Sequence, residues 1–170
     1  VYNSALEDTA IKLFTVFESE FSKFHINSNE KIKVNGVDTP LLTTDDYTLN
    51  NNFLKVDAFT NLTNAVATIF ALSGDDFIRV STSLKKEDKS RAMGTFLGKN
   101  SPAYESIMKK QKYIGNARLF GEDYITVYSP ILQDNKVIGI LFIGYNFTQG
   151  LQALETQINS MKLGDNGYFY

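Results

Sequence analysis

Apolar positions recur at spacings of three and four from the start of the chain. Ala10, Leu13, Phe14, Phe17, Phe21 and Phe24 form one stripe, with Glu7, Lys12, Glu18, Glu20 and Lys23 largely off it. That period predicts one amphipathic helix over residues 1–24, whose apolar stripe packs on a core. Burial at roughly 25 cal/mol per Å² makes four phenylalanines on one stripe a large stabilising contribution.

Over residues 25–52 the pattern weakens into a surface segment. Lys31-Ile32-Lys33-Val34 alternates like a short strand and Asn35-Gly36 supplies a turn, while Pro40, Asp45-Asp46 and Asn50-Asn51-Asn52 mark loops. His25 is read as capping or solvating the end of the first helix. From residue 53 onward period-2 runs dominate: strands over 65–72 and 77–84 around the turn Ser73-Gly74-Asp75, then strands over 113–120, 124–132 and 137–145 with turns at Gly121-Glu122 and Asp134-Asn135. Residues 85–100 form a polar loop with Gly94 and Gly98, and Ser101-Pro102 opens a helix to Met108. Thr148 is expected to cap a last helix over 148–163, with Leu151, Leu154, Ile158 and Met161 on one face. Strands joined by hairpins cannot form a parallel crossover sheet. The expected class is α+β, an antiparallel sheet of about five strands with a long N-terminal helix and a C-terminal helix, similar to the PAS-like arrangement.

Alternation assigns faces. Phe77, Arg79, Ser81 and Ser83 share one side of their strand, while Ile78, Val80, Thr82 and Leu84 share the other. Tyr124, Thr126 and Tyr128 likewise oppose Ile125 and Val127, and Arg118 shares a face with Lys112, Ile114, Asn116 and Phe120. One side of the sheet is therefore apolar and the other carries arginine, hydroxyls and phenols. A guanidinium forks onto two carboxylate oxygens, and neutral donors satisfy the remaining lone pairs. The competing reading is a sheet with its polar face in water, its arginines paired with Asp75, Asp76 or Glu122.

Composition removes other chemistries. The 170 residues fit one domain, and 17 Lys+Arg against 19 Asp+Glu give a net charge of −2, with no basic field to capture nucleic acid. There is no cysteine and one histidine, which excludes thiol nucleophiles, Cys/His zinc sites and iron–sulfur clusters. Gly94 and Gly98 do not match a phosphate loop, no nucleophile elbow occurs, and the Asp45-Asp46 and Asp75-Asp76 pairs are read as turn formers. No catalytic residue, metal site or cofactor is expected. No apolar run approaches the ~18 residues of a membrane span. Val1 at the start and the aromatic run Gly167-Tyr168-Phe169-Tyr170 at the end suggest a piece of a longer protein.

The runs from Gly74 to Lys86 and from Ser90 to Thr95 resemble extracellular Cache sensor domains of bacterial methyl-accepting chemotaxis receptors. So do Val56-Asp57-Ala58-Phe59-Thr60, Ala67 to Phe70, Pro102-Ala103-Tyr104, Tyr113 to Gly121, Tyr124-Ile125-Thr126 and Val137 to Gly144. The similarity extends from about Lys33 to the C-terminus and is nearest to the type-3 Cache group, including Cache 3–Cache 2 fusions. It implies a single periplasmic sensor domain over 1–170: a membrane-proximal helix 1–24, a sheet core 53–146, a C-terminal helix 148–163, and the start of a further segment at 164–170. It further implies anchoring in the inner membrane through flanking helices and a homodimer in the whole receptor. The ligand would lie between the sheet and its covering loops. Carried over by position, Arg79, Ser81, Ser83, Arg118, Tyr124 and Thr126 lie on strands and Arg91 and Thr95 on the covering loop. The amino-acid signature of double-Cache receptors is not recognisable, which favours a short organic carboxylate as partner. Alternatives are the same sensor on a histidine kinase or cyclase, an enzyme, and a dimerisation module meeting its copy through Phe14, Phe17 and Phe21.

Overall fold

The computed structural model describes residues 2–45 and 47–165. Asp46 of the Asp45-Asp46 pair and the aromatic run at 167–170 lie outside the described residues. The described elements are α1 (Tyr2–Glu18), β1 (Phe24–Val34), β2 (Val37–Thr44), β3 (Tyr47–Thr48), α2 (Leu54–Thr63), β4 (Val66–Ser73), β5 (Asp76–Thr82), α3 (Pro102–Met108), β6 (Tyr113–Leu119), β7 (Glu122–Gln133), β8 (Lys136–Asn146) and α4 (Phe147–Asp165). All strand pairs are antiparallel, in a three-stranded sheet β1-β2-β3 and a five-stranded sheet β5-β4-β8-β7-β6. The α+β class and both terminal helices agree with the sequence pattern.

Four local expectations change. The first helix stops at Glu18, not residue 24: the chain turns there, and Phe24 opens β1. The stripe continues because Phe21 and Phe24 return to the same core from a different backbone, with ring centroids 5.1 Å apart for Phe17–Phe21 and 5.5 Å for Phe21–Phe24. The segment after it is a paired sheet and not loops. Pro40 sits inside β2 opposite Lys31, where a register shift in β1 removes the need for its missing N–H. His25 lies in β1, its Nδ1 2.7 Å from Gln133 Nε2, and caps no helix. In α2, which period-2 reading missed, only Val56 and Phe59 are buried, too thin a stripe to register as helical.

One face of the five-stranded sheet carries Ala67, Ile69, Ala71, Ile78, Val80, Ile125, Val127, Leu141 and Ile143, packed against α1, α2 and the small sheet. Phe14 and Phe17 are at most 2% exposed in this core, so they are closed to a second chain; the outward apolar residues of α1 are Ile11 and Val16. The opposite face, with Phe70, Phe77, Tyr128, Ile140 and Phe142, is covered by α3 and the loop after β5. Ser101 caps α3 as predicted, accepting from Ala103 N at 3.3 Å. The covering loop is pinned to the β1–β2 tip: a Cβ on Gly94 (φ +74) would stand 2.8 Å from the Val34 carbonyl, so only glycine fits that crossing. β8 runs straight into α4, where Asn146 Oδ1 accepts from Gln149 N at 3.0 Å; Asn146, one residue before the helix, does the capping expected of Thr148.

Candidate functional site

Arg79 defines the site. It lies in β5 opposite Phe70 of β4, so both side chains project onto the face covered by α3 and the loop. It is 3% exposed. Its guanidinium carbon sits 4.8 Å from the Phe70 ring centroid and 5.8 Å from that of Phe120, contacts a cation makes with an aromatic face. Only Nη1 donates, to Thr95 Oγ1 at 2.9 Å and to the Phe96 carbonyl at 3.4 Å, while the buried Nε–H has no acceptor. Among the described residues no carboxylate pairs with it. Burial pushes its pKa down, opposed by the fields of Tyr128 and Asp76, yet an arginine remains charged at any ordinary pH. A buried, unpaired cation costs several kcal/mol unless an anion joins it.

The walls are aromatic. Tyr128 is enclosed by Phe142 at 4.8 Å, Tyr113 at 6.1 Å and Phe70 at 6.5 Å between ring centroids. Burial pushes its phenol up to about 12, with Arg79 pulling the other way, so Tyr128 is a neutral donor at physiological pH.

The predicted site residues separate into three groups. Thr95 touches Arg79 directly, and Tyr124 and Thr126 alternate with Ile125 and Val127 as expected, on the Tyr128 side of the sheet. Thr126 spends its hydroxyl proton on the Gly115 carbonyl at 2.7 Å, which leaves its oxygen as an acceptor only. Burial raises the Tyr124 phenol, helped by nearby Glu122.

Ser81 and Ser83 point away from Arg79. A bulge at Val80 places two residues opposite one, so Phe70 pairs Arg79 while the next position, Ile69, pairs Ser81. The alternation flips there. Ser81 Oγ donates to the Asn52 carbonyl at 2.6 Å, and Ser83 Oγ meets Thr60 Oγ1 of α2 at 2.6 Å and accepts from Ala67 N at 2.9 Å. The Val80 carbonyl, released from the ladder, accepts from Asn51 N at 2.8 Å. Thr82 takes the Arg79 side instead, its hydroxyl 2.6 Å from that of Thr68.

Arg91 and Arg118 are each already paired with a carboxylate. Arg91 is a latch: Nη1 and Nη2 each reach an Asp57 carboxylate oxygen at 2.7 Å, Nη1 also meets the Thr82 carbonyl at 3.0 Å, and the guanidinium lies 3.9 Å over the Phe53 ring. This bidentate pair depresses the Asp57 carboxyl pKa and ties the covering loop to α2. Arg118 faces outward from edge strand β6 and pairs with Asp123 at 3.0 Å, beside a shallow cleft of about 240 Å³ that also involves Phe147. The sequence reading placed Phe70 in a strand and Phe120 at a strand end without giving either a role at the site; both contact Arg79, and neither residue type signals that contact in a sequence.

Among the described residues, no group of three or more His, Asp or Glu side chains is placed to hold a metal. No described helix is long and apolar enough to cross a membrane. The chain matches the Cache 3/Cache 2 fusion domain over residues 1–170. The chain is also similar to the sensory domain of the Campylobacter jejuni chemoreceptor Tlp3 (CcmL), at 19% identity and a TM-score of 0.42, over 62% of this chain and 44% of that one. No curated protein sequence matches it.

Proposed function

The chain belongs to the Cache 3/Cache 2 fusion domain family, and on that premise we propose that it is the extracytoplasmic ligand-binding domain of a chemoreceptor that senses a short organic carboxylate. The observation that supports this is Arg79: a buried guanidinium with a free Nε–H, no carboxylate partner and a neutral phenol nearby. A bound carboxylate would supply the missing acceptor and counter-charge, and Thr95 ties the same guanidinium to the covering loop. Anion binding then biases the position of that loop, and through β8 that of α4, to the extent that the two arrangements differ in affinity for the ligand. Anchoring by flanking membrane helices, a periplasmic location and pairing of two copies along the outer face of α1 complete the reading. Concentration-dependent sedimentation checks the pairing, and a strictly monomeric species at high concentration removes it.

Calorimetric titration with acetate, propionate, lactate, pyruvate and succinate tests the ligand class. At least one binds the wild type, Arg79→Met abolishes that heat, and Arg118→Met retains it. Folded protein silent to all five at millimolar concentration retires the carboxylate reading.

A further inference from the structure

We propose that the Phe120 ring is the movable wall through which small anions reach Arg79. The inference rests on Arg79 being the anion-binding group. Phe120 is half-buried, with one side of its environment the Arg79 guanidinium and the other a surface cleft of about 440 Å³. Lys85, Lys86 and Lys89 line that cleft with Glu87 and Glu122, an excess of one positive charge (3 − 2) at its mouth. Such a cleft concentrates anions next to the wall.

The other approaches to Arg79 are built from structure that cannot swing aside cheaply. Phe70 belongs to a central strand and is fully buried. The loop above is hydrogen-bonded to β5 like an extra strand: Arg79 N donates to the Thr95 carbonyl at 2.9 Å, Gly94 N to the Arg79 carbonyl at 2.9 Å and Leu97 N to the Phe77 carbonyl at 2.8 Å. Phe120 instead occupies a two-residue hairpin turn, where one side chain can rotate without breaking the ladder.

The turn itself shows that Phe120 is placed against local preference. Two-residue hairpin turns with both residues at positive φ favour Asn or Asp followed by Gly. The β1–β2 turn follows that rule with Asn35-Gly36 (φ 49 and 81), and the β7–β8 turn uses Asp134-Asn135 (φ 52 and 65). The β6–β7 turn holds Phe120-Gly121 at φ 49 and 85, a bulky residue where the chain elsewhere uses a short polar one. Strain of this kind persists where it serves a site. Here its product is a ring over the guanidinium.

Modification by 2,3-butanedione, a small neutral reagent for arginine, reads the port directly, with adducts located by mass spectrometry. In the wild type Arg79 reacts at least tenfold more slowly than exposed Arg118. Phe120→Asn suits the turn, so melting temperature is maintained; Arg79 modification rises at least tenfold and that of Arg118 does not change. Phe120→Leu gives an intermediate rate. Phe96→Ala, which trims an exposed side chain of the covering loop, leaves Arg79 as slow as in the wild type. An unchanged Arg79 rate in Phe120→Asn, or acceleration by Phe96→Ala in its place, overturns the port. Propionate at 100-fold excess over protein and in the millimolar range protects Arg79 in Phe120→Asn. Acceleration without that protection refutes the anion site and leaves the port standing.

Discussion

Arg79→Met separates a ligand anchor from a structural bolt, because the two roles give opposite signs in stability. Removing the guanidinium abolishes its contacts with buried Phe70, about 1–2 kcal/mol, and with half-buried Phe120, about 0.5–1 kcal/mol, and a net ~1 kcal/mol for the bond to Thr95. Thr95 Oγ1 still donates to the Ala92 carbonyl, so no hydroxyl proton is orphaned. Against these losses stands the cost of burying a charge without a counter-ion, several kcal/mol, and methionine refills most of the volume with an adaptable apolar chain. The balance is about 1–2 kcal/mol in favour of the variant, which at ~2–4 °C per kcal/mol raises Tm by about 2–8 °C. The assay is thermal circular dichroism in a buffer free of carboxylates and phosphate. Adding a binding carboxylate at ~100 times its Kd stabilises the wild type by about 2.7 kcal/mol and leaves Arg79→Met unmoved. A variant that melts well below the wild type in the ligand-free buffer refutes the reasoning: the guanidinium would then be holding the loop to the sheet, with no deficit for a ligand to fill.

Two further outcomes follow from the same face and its latch. Tyr128 is neutral in the fold with its pKa pushed up to about 12; its contribution is therefore complete below an unfolded pKa near 10 and is lost as pH rises toward 12. Denaturant unfolding between pH 9 and ~11.5 should show this decline and Tyr128→Phe should flatten it; equal slopes in both proteins would contradict the buried phenol. Asp57→Asn breaks the bidentate pair with Arg91, whose side chains are 27% and 39% exposed for Arg91 and Asp57. Solvent screening limits the loss to about 1 kcal/mol. Amide exchange at Ala92 and Gly94 accelerates while that of β8 does not; uniform acceleration would show the pair is not a local latch. Because the Asp57 pKa is depressed, the same contribution disappears in the wild type as pH falls below its ordinary value of 3.8.

Alternation revealed the strands from β4 to β8 because one side of each meets a continuous apolar core, which forces period-2 placement of Ile69, Val80, Val127 and Ile143. It put Arg79 on the face opposite Ile78 and Val80, where the structure has it, but gave Arg118 the same standing. It failed at Ser81 and Ser83 because a one-residue bulge is decided by partners distant in the chain, here Asn51 and α2, and leaves no composition signal in β5. Arg91 and Arg118 have the residue type of an anion ligand, but whether Asp57 or Asp123 has already claimed the charge is a tertiary fact. The first helix was overextended because periodicity records which residues reach the core and not which backbone carries them there. The last helix was legible in its face, with Leu151, Leu154 and Ile158 half-buried, whereas Met161 at its far end is exposed and the cap falls at Asn146.

The bulge at Val80 gives β5 two reading frames. Residues before it answer to the aromatic face around Arg79, whereas Ser81 and Ser83 answer to the Asn52 carbonyl and α2, so the two halves are free to diverge under unrelated selection. A single-codon insertion or deletion at that point would exchange their tasks wholesale. Relatives aligned through it without a gap would equate residues on the Arg79 face with residues that turn toward α2.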